Sequence, residues 1–173
     1  MNKTVLYFVT MFVIVLLTQA VAFNNLVLFN CAMAFVFIYM LISLPVTTST
    51  NLALTVGFAL GLCVDAFSDT YGLNTMSCTI LAFVRKPVFH LYVNHDEDLS
   101  GQRLCMRTMG PAAFMKYALT MTLLYCIIVY SIEAFSFFNF WRTLLRIVAS
   151  TFYTFIIIYA VDNLTMSRNE KKL

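Results

Sequence analysis

Charge is scarce in this chain: 11% of its 173 residues are Asp, Glu, Lys or Arg, while 61% are hydrophobic. A soluble domain carries roughly 25% charged and about 45–50% apolar residues. That excess of apolar surface cannot be buried in one soluble core of this size, which excludes an ordinary soluble domain and leaves lipid as the solvent. Proline occurs three times and glycine five times, and one of the prolines, Pro45, ends a long apolar run. The cysteines, Cys31, Cys63, Cys78, Cys105 and Cys126, are odd in number and form no CxxC pair. That spacing fits neither a disulfide framework nor a zinc site. Two histidines, His90 and His95, have no third ligand in register. No phosphate loop, GxSxG elbow, HExxH or dinucleotide fingerprint is present. The net charge of +3 is spread between apolar runs and gives no nucleic-acid footprint. No catalytic residue, metal or cofactor is expected.

What is present is hydrophobic sequence in lengths of about 20 residues, the span of a bilayer-crossing helix. Six runs qualify as candidates: Thr4–Phe23, Leu26–Leu44, Val46 or Asn51 to Ala66, Gly72 to at least Val84, Ala112–Phe135 and Phe140–Val161. The expected fold is an all-α membrane protein, a six-transmembrane-helix bundle with both termini in the cytoplasm and one polytopic domain over residues 1–173. The first run has a rival reading as a secretory signal cleaved after Ala20-Val21-Ala22. Its length and its direct continuation into a second run favour a retained helix.

Basic residues fix the orientation. With the N-terminus inside, Lys3, Arg85, Lys86, Arg103, Arg107, Lys116, Arg168, Lys171 and Lys172 face the cytoplasm, and Arg142 and Arg146 face out. Positive charge accumulates on the cytoplasmic side. The aromatic stretch Phe135, Phe137, Phe138, Phe140 and Trp141 then lies at the outer interface, where such residues collect. The polar loop at 94–110, with His95-Asp96-Glu97-Asp98, reads as solvated. Asp162 and Glu133, near helix ends, read as solvated too. Arg85-Lys86-Pro87 reads as the inner end of the fourth helix.

The third run carries Ala53, Gly57, Gly61 and Asp65 at steps of four, which keep to one helix face. Gly57 to Gly61 is a GxxxG, where small side chains let another helix backbone approach. The bland interpretation is packing within the bundle; the sharper one is a docking face for a partner helix. Asp65 stands at its end, and a carboxylate near hydrocarbon is costly unless paired or wet. Asp69 and Gly72 follow in a polar turn, Gly72 suited to a positive φ. Asn51–Ala66 reaches only roughly 24 Å at about 1.5 Å per residue, so the turn either sinks below the membrane surface or the helix starts earlier. Arg142 and Arg146, one turn apart with Ser150 continuing their stripe, are the cations predicted at the same end. An Asp65–Arg146 contact with Asp69 near Arg142 is one expectation. Arginines reaching lipid phosphate and acids reaching water is the other. Asn74, Ser77 and Thr79 are expected to hydrogen-bond within the bundle.

Gly61-Leu62-Cys63-Val64-Asp65, then Ser68, then Gly72-Leu73-Asn74 resembles the signature of MreD, the bacterial rod shape-determining membrane protein. The layout of the whole chain is similar; the motif covers about fifteen residues. The His95–Asp98 loop and the high Phe content have no counterpart in that pattern. The resemblance implies a non-enzymatic component of the cell-elongation machinery for peptidoglycan, in the bacterial inner membrane. It implies binding to MreC, a single-span protein, and action with MreB, RodA and a class B penicillin-binding transpeptidase. It also implies an architecture similar to the substrate-binding subunits of energy-coupling-factor transporters. A vitamin-binding transport subunit is the competing function. Such subunits carry an Ala-x-x-x-Ala docking pattern on the first helix, and the nearest match here is Thr18-x-x-x-Ala22.

Overall fold

A computed structural model describes residues 3–19, 33–70, 72–93, 103–133 and 140–170. Among these, the chain forms seven helices and no strand: α1 (Lys3–Thr18), α2 (Ile38–Ser43), α3 (Thr50–Ser68), α4 (Leu73–His90), α5 (Met106–Met109), α6 (Pro111–Glu133) and α7 (Phe140–Glu170). The Ala20–Ala22 cleavage site, the His95–Asp98 loop and the aromatic turn through Phe138 lie outside the described residues.

Local chemistry sets the helix limits. The Ser49 hydroxyl caps α3 by accepting the Leu52 N–H at 3.4 Å, which satisfies one donor that the first turn cannot bond internally. The helix stops at Asp69, whose φ of 51° is left-handed and whose N–H turns back to Asp65 O. Gly72, at φ 78°, then starts α4. The expected stop at Arg85-Lys86-Pro87 does not occur: α4 runs through Pro87 to His90. Packing holds this last turn. Val88 and Phe89 are buried, the Phe89 and Tyr117 rings lie 6.1 Å apart, and the Tyr92 and Thr120 hydroxyls meet at 2.7 Å.

The helices form two hairpins, α3 on α4 and α6 on α7, joined by α4 against α6. Phe37, Ile38, Leu41, Leu60, Leu81, Tyr117, Met121 and Tyr125 fill the space between them. Large apolar side chains also cover the outside: Phe58, Phe83, Leu145, Phe152 and Ile156 are each more than half exposed. Water does not favour such a surface, and lipid does.

Three helical stretches are long and apolar enough to cross a membrane: Thr50–Ser68, Pro111–Glu133 and Trp141–Asn163. The fold of the described residues is therefore all-helical with three candidate membrane spans, and the expected count of six is not supported among them. The described part of α1 has 16 residues, and α4 carries Asn74, Ser77, Arg85 and Lys86. The second expected span, Leu26–Leu44, is not one continuous helix. Residues 33–35 are non-helical, 36–37 form a turn, and only Ile38–Ser43 coils into α2.

Candidate functional site

The residues of the sequence motif converge on the tip of the α3–α4 hairpin. Asp65 ends the small-residue stripe of α3 and is 7% exposed. Its carboxylate lies on the first turn of α4. One oxygen accepts the Asn74 N–H at 3.0 Å and the Asn74 side-chain N–H at 3.0 Å, together with the Thr70 hydroxyl. The other accepts the Thr75 N–H at 2.8 Å and the Thr75 hydroxyl at 2.6 Å. A helix N-terminus presents unbonded N–H groups and a partial positive charge. The carboxylate satisfies both, which makes its burial affordable without a cation. The network extends to α6, where the Tyr125 hydroxyl donates to Asn74 Oδ1 at 2.5 Å.

Ala53, Gly57 and Gly61 line the same face, and that face is already occupied by α4. A Cβ placed on Gly57 would stand 2.9 Å from Cys78 O and 3.0 Å from Ala82 Cβ. On Gly61 it would stand 2.4 Å from Thr75 Cα and 2.7 Å from Asn74 O. Ala53 is buried in turn. The docking surface expected at Ala53, Gly57, Gly61 and Asp65 is thus an internal helix–helix contact, and the small residues serve the chain's own hairpin.

The expected charge pairs are also replaced. Arg146 meets Glu133 at 3.5 Å, not Asp65. Asp69 and Arg142 are both exposed and make no ion pair with each other. Gly72 keeps its left-handed turn, with no atom within 4 Å of where a Cβ would sit. The hairpin tip lies short of the end of α6. Asn74 bonds Tyr125, eight residues before the end of α6 at Glu133, or about 12 Å at ~1.5 Å per residue. On the outer side of the hairpin an open, mostly apolar groove of about 550 Å³ is lined by Phe58, Leu62, Met76 and Ile80, with Asp65 and Thr75 at its polar end.

A second polar constellation holds the non-helical stretch before α2. The Ser150 hydroxyl accepts the Met33 N–H and the Thr154 hydroxyl accepts the Phe35 N–H, each at 3.1 Å. Gln19 accepts the Val36 N–H at 3.0 Å and donates to Ala34 O at 2.9 Å. Irregular backbone is tolerated at depth only when protein or water satisfies it, and here side chains of α7 and the residue after α1 do so. Phe35 and Phe37 pack edge-on against Tyr125, at centroid distances of 5.1 and 5.6 Å.

At the other end of α2, Arg85 does not reach for the membrane surface. It is 1% exposed and donates to Leu41 O at 3.5 Å, Leu44 O at 3.0 Å and Pro45 O at 2.7 Å, capping the carbonyls that α2 leaves open. Asp162, expected in solvent, is buried as well. Asn74, Ser77 and Thr79 bond within the bundle as expected, Ser77 to Leu73 O and Thr79 to Thr75 O. Gln19, Thr154 and Tyr125 were not singled out by sequence reasoning. A Gln and a Thr inside apolar runs were the signals available. Among the described residues no His, Cys, Asp and Glu group could hold a metal ion.

No protein-family model, curated protein or solved structure matches the chain.

Proposed function

We propose that this chain is an MreD-like, non-enzymatic component of the bacterial cell-elongation complex, spanning the inner membrane several times with both termini in the cytoplasm. It would scaffold peptidoglycan synthesis through an MreC-like single-span partner, with MreB, RodA and a class B penicillin-binding transpeptidase in the same assembly. The observation that carries this reading is the joint at the hairpin tip. Of the residues that resemble the MreD signature, Gly61, Asp65 and Asn74 fasten α3 to α4, and through Tyr125 to α6, and Gly72 makes the left-handed turn between the two helices. A signature built from packing and capping residues belongs to a structural element rather than to a reaction centre.

The orientation rests on charge. Arg85, Arg103, Arg107 and Lys116 lie toward the end where α4 finishes and α6 begins, and Arg142 and Arg146 lie at the opposite end of α6 and α7. Positive charge is retained inside. The alternative, a vitamin-binding transport subunit, needs an open polar cavity within the bundle. The amides of Met33, Phe35 and Val36 are bonded by the protein's own side chains, and aromatic rings pack beside them. That arrangement favours the scaffold.

The deciding experiment is affinity purification from the native bacterial membrane in mild detergent. Recovery of a single-span coiled-coil protein with cell-wall synthases supports the proposal. Recovery of a transmembrane coupling subunit with ATPases overturns it in favour of transport.

A further inference from the structure

Asp162 takes no part in the hairpin joint, yet it is 1% exposed. A carboxylate so placed costs several kcal/mol unless its charge is met by donors or a cation. Its two oxygens are taken by different elements. Oδ1 accepts the Tyr39 hydroxyl of α2 at 2.6 Å, and Oδ2 accepts the Met106 N–H of α5 at 3.0 Å. Arg103 donates to the same Tyr39 hydroxyl, and its guanidinium carbon lies 5.2 Å from the Tyr39 ring centre. One hydroxyl therefore stands between the cation and the buried anion, accepting from the first and donating to the second.

The segment Arg103–Met109 crosses the end of the bundle like a strap. Its apolar side chains Leu104, Met106 and Met109 are buried, and Arg107 is exposed. Its Leu104 N–H bonds Ser43 O, the last residue of α2, at 3.3 Å. Together with Arg85, it caps the end of a helix of only six residues. So short a helix does not persist without partners at its ends.

We propose that Arg103–Met109 is a closing strap latched on Asp162, and that release of the latch frees the strap and α2 together while the α3–α4 hairpin stays folded. The coupling is physical. The strap and α2 share the Asp162 carboxylate, the Tyr39 hydroxyl and the Leu104–Ser43 bond, whereas the hairpin joint is closed by its own network at the other end of α3. This inference does not rest on the MreD-like reading.

The full-length protein in detergent micelles provides the test, by amide hydrogen exchange resolved by peptide and by maleimide labelling of Cys105, which lies in the strap. In Asp162→Ala, exchange of the 103–109 and 38–43 peptides and labelling of Cys105 should accelerate about tenfold or more, the scale of one lost charge-assisted hydrogen bond. Peptides of α3 and of residues 73–82 in α4, which form the hairpin joint, should exchange as in the parent. Tyr39→Phe removes the shared hydroxyl but keeps the ring, and should accelerate the same two peptides by a smaller factor. Unchanged strap and α2 exchange in both variants would overturn the proposal and leave Asp162 a satisfied core acid. Acceleration spread equally over all helices would overturn it too, since Asp162 would then hold the whole bundle rather than a strap.

Discussion

Gly61 and Thr75 stand so close that a Cβ on the glycine would lie 2.4 Å from the Thr75 Cα. Backbone, not a movable side chain, is the obstacle, so α3 and α4 must separate to admit even one methyl group. Gly61→Ala should lower stability by about 1–3 kcal/mol or more, the range for overpacking a fitted contact. Gly57→Ala should cost less, because its nearest atoms, Cys78 O at 2.9 Å and the Ala82 Cβ at 3.0 Å, would overlap an added Cβ by less. Thermal unfolding of the purified variants in one detergent checks the order. Equal midpoints would remove the close contact from the account.

The capping role of Asp65 separates two explanations of that acid. Asp65→Ala strands the Asn74 and Thr75 amides, at about 1–3 kcal/mol for each buried donor left unmade. Asp65→Asn keeps one acceptor oxygen and should fall between the parent and the alanine variant. A charge swap, Asp65→Arg with Arg146→Asp, should not restore protein level, because Asp65 is held by N–H groups and Arg146 by Glu133. Recovery of membrane-inserted protein in the double variant would contradict this.

The same contrast explains what could be read in the sequence. The stripe Ala53, Gly57, Gly61, Asp65 was legible as one face, and the turn at Asp69–Gly72 as a polar break, because helical spacing and turn chemistry are local. Whether the stripe met a partner or α4 was not, since any close helix satisfies a small-residue groove. Residues 33–44 misled for another reason. A continuous apolar run does not distinguish a buried extended segment from a helix. The groups that settle it, Ser150 and Thr154, lie 117 and 119 residues away. Asp162 was assigned to solvent by its position near a helix end, and Arg85 to the cytoplasmic end of the fourth helix; the short α2 and the strap that bury them are tertiary features with no local signature.

The exposed ion pair should matter little. Glu133 and Arg146 are 48% and 33% exposed at 3.5 Å, and pairs of this kind contribute about 0–1 kcal/mol. Glu133→Gln should shift the unfolding midpoint by no more than about 4 °C. A loss comparable to that of Asp65→Ala would show the pair to be structural.

Arg85 is the opposite case. It is buried, and its guanidinium spans Leu44 O and Pro45 O at 3.0 and 2.7 Å, so its charge and its donors are met by backbone carbonyls, of which Pro45 O also accepts the Thr48 N–H at 3.2 Å. Arg85→Lys keeps the charge but presents it as a point rather than a planar fork. It should reach one of the two carbonyls and lose its bond to the other. Arg85→Met removes the charge and both bonds, leaving Leu44 O without its Arg85 donor and Pro45 O with the Thr48 N–H alone. The expected order of stability is parent, then Lys, then Met, with the Met variant down by about 2–4 kcal/mol from the lost charge-assisted bonds. Chemical unfolding at one detergent concentration reads that order. A Met variant as stable as the parent would mean that the carbonyls find water, and that Arg85 caps nothing the fold depends on.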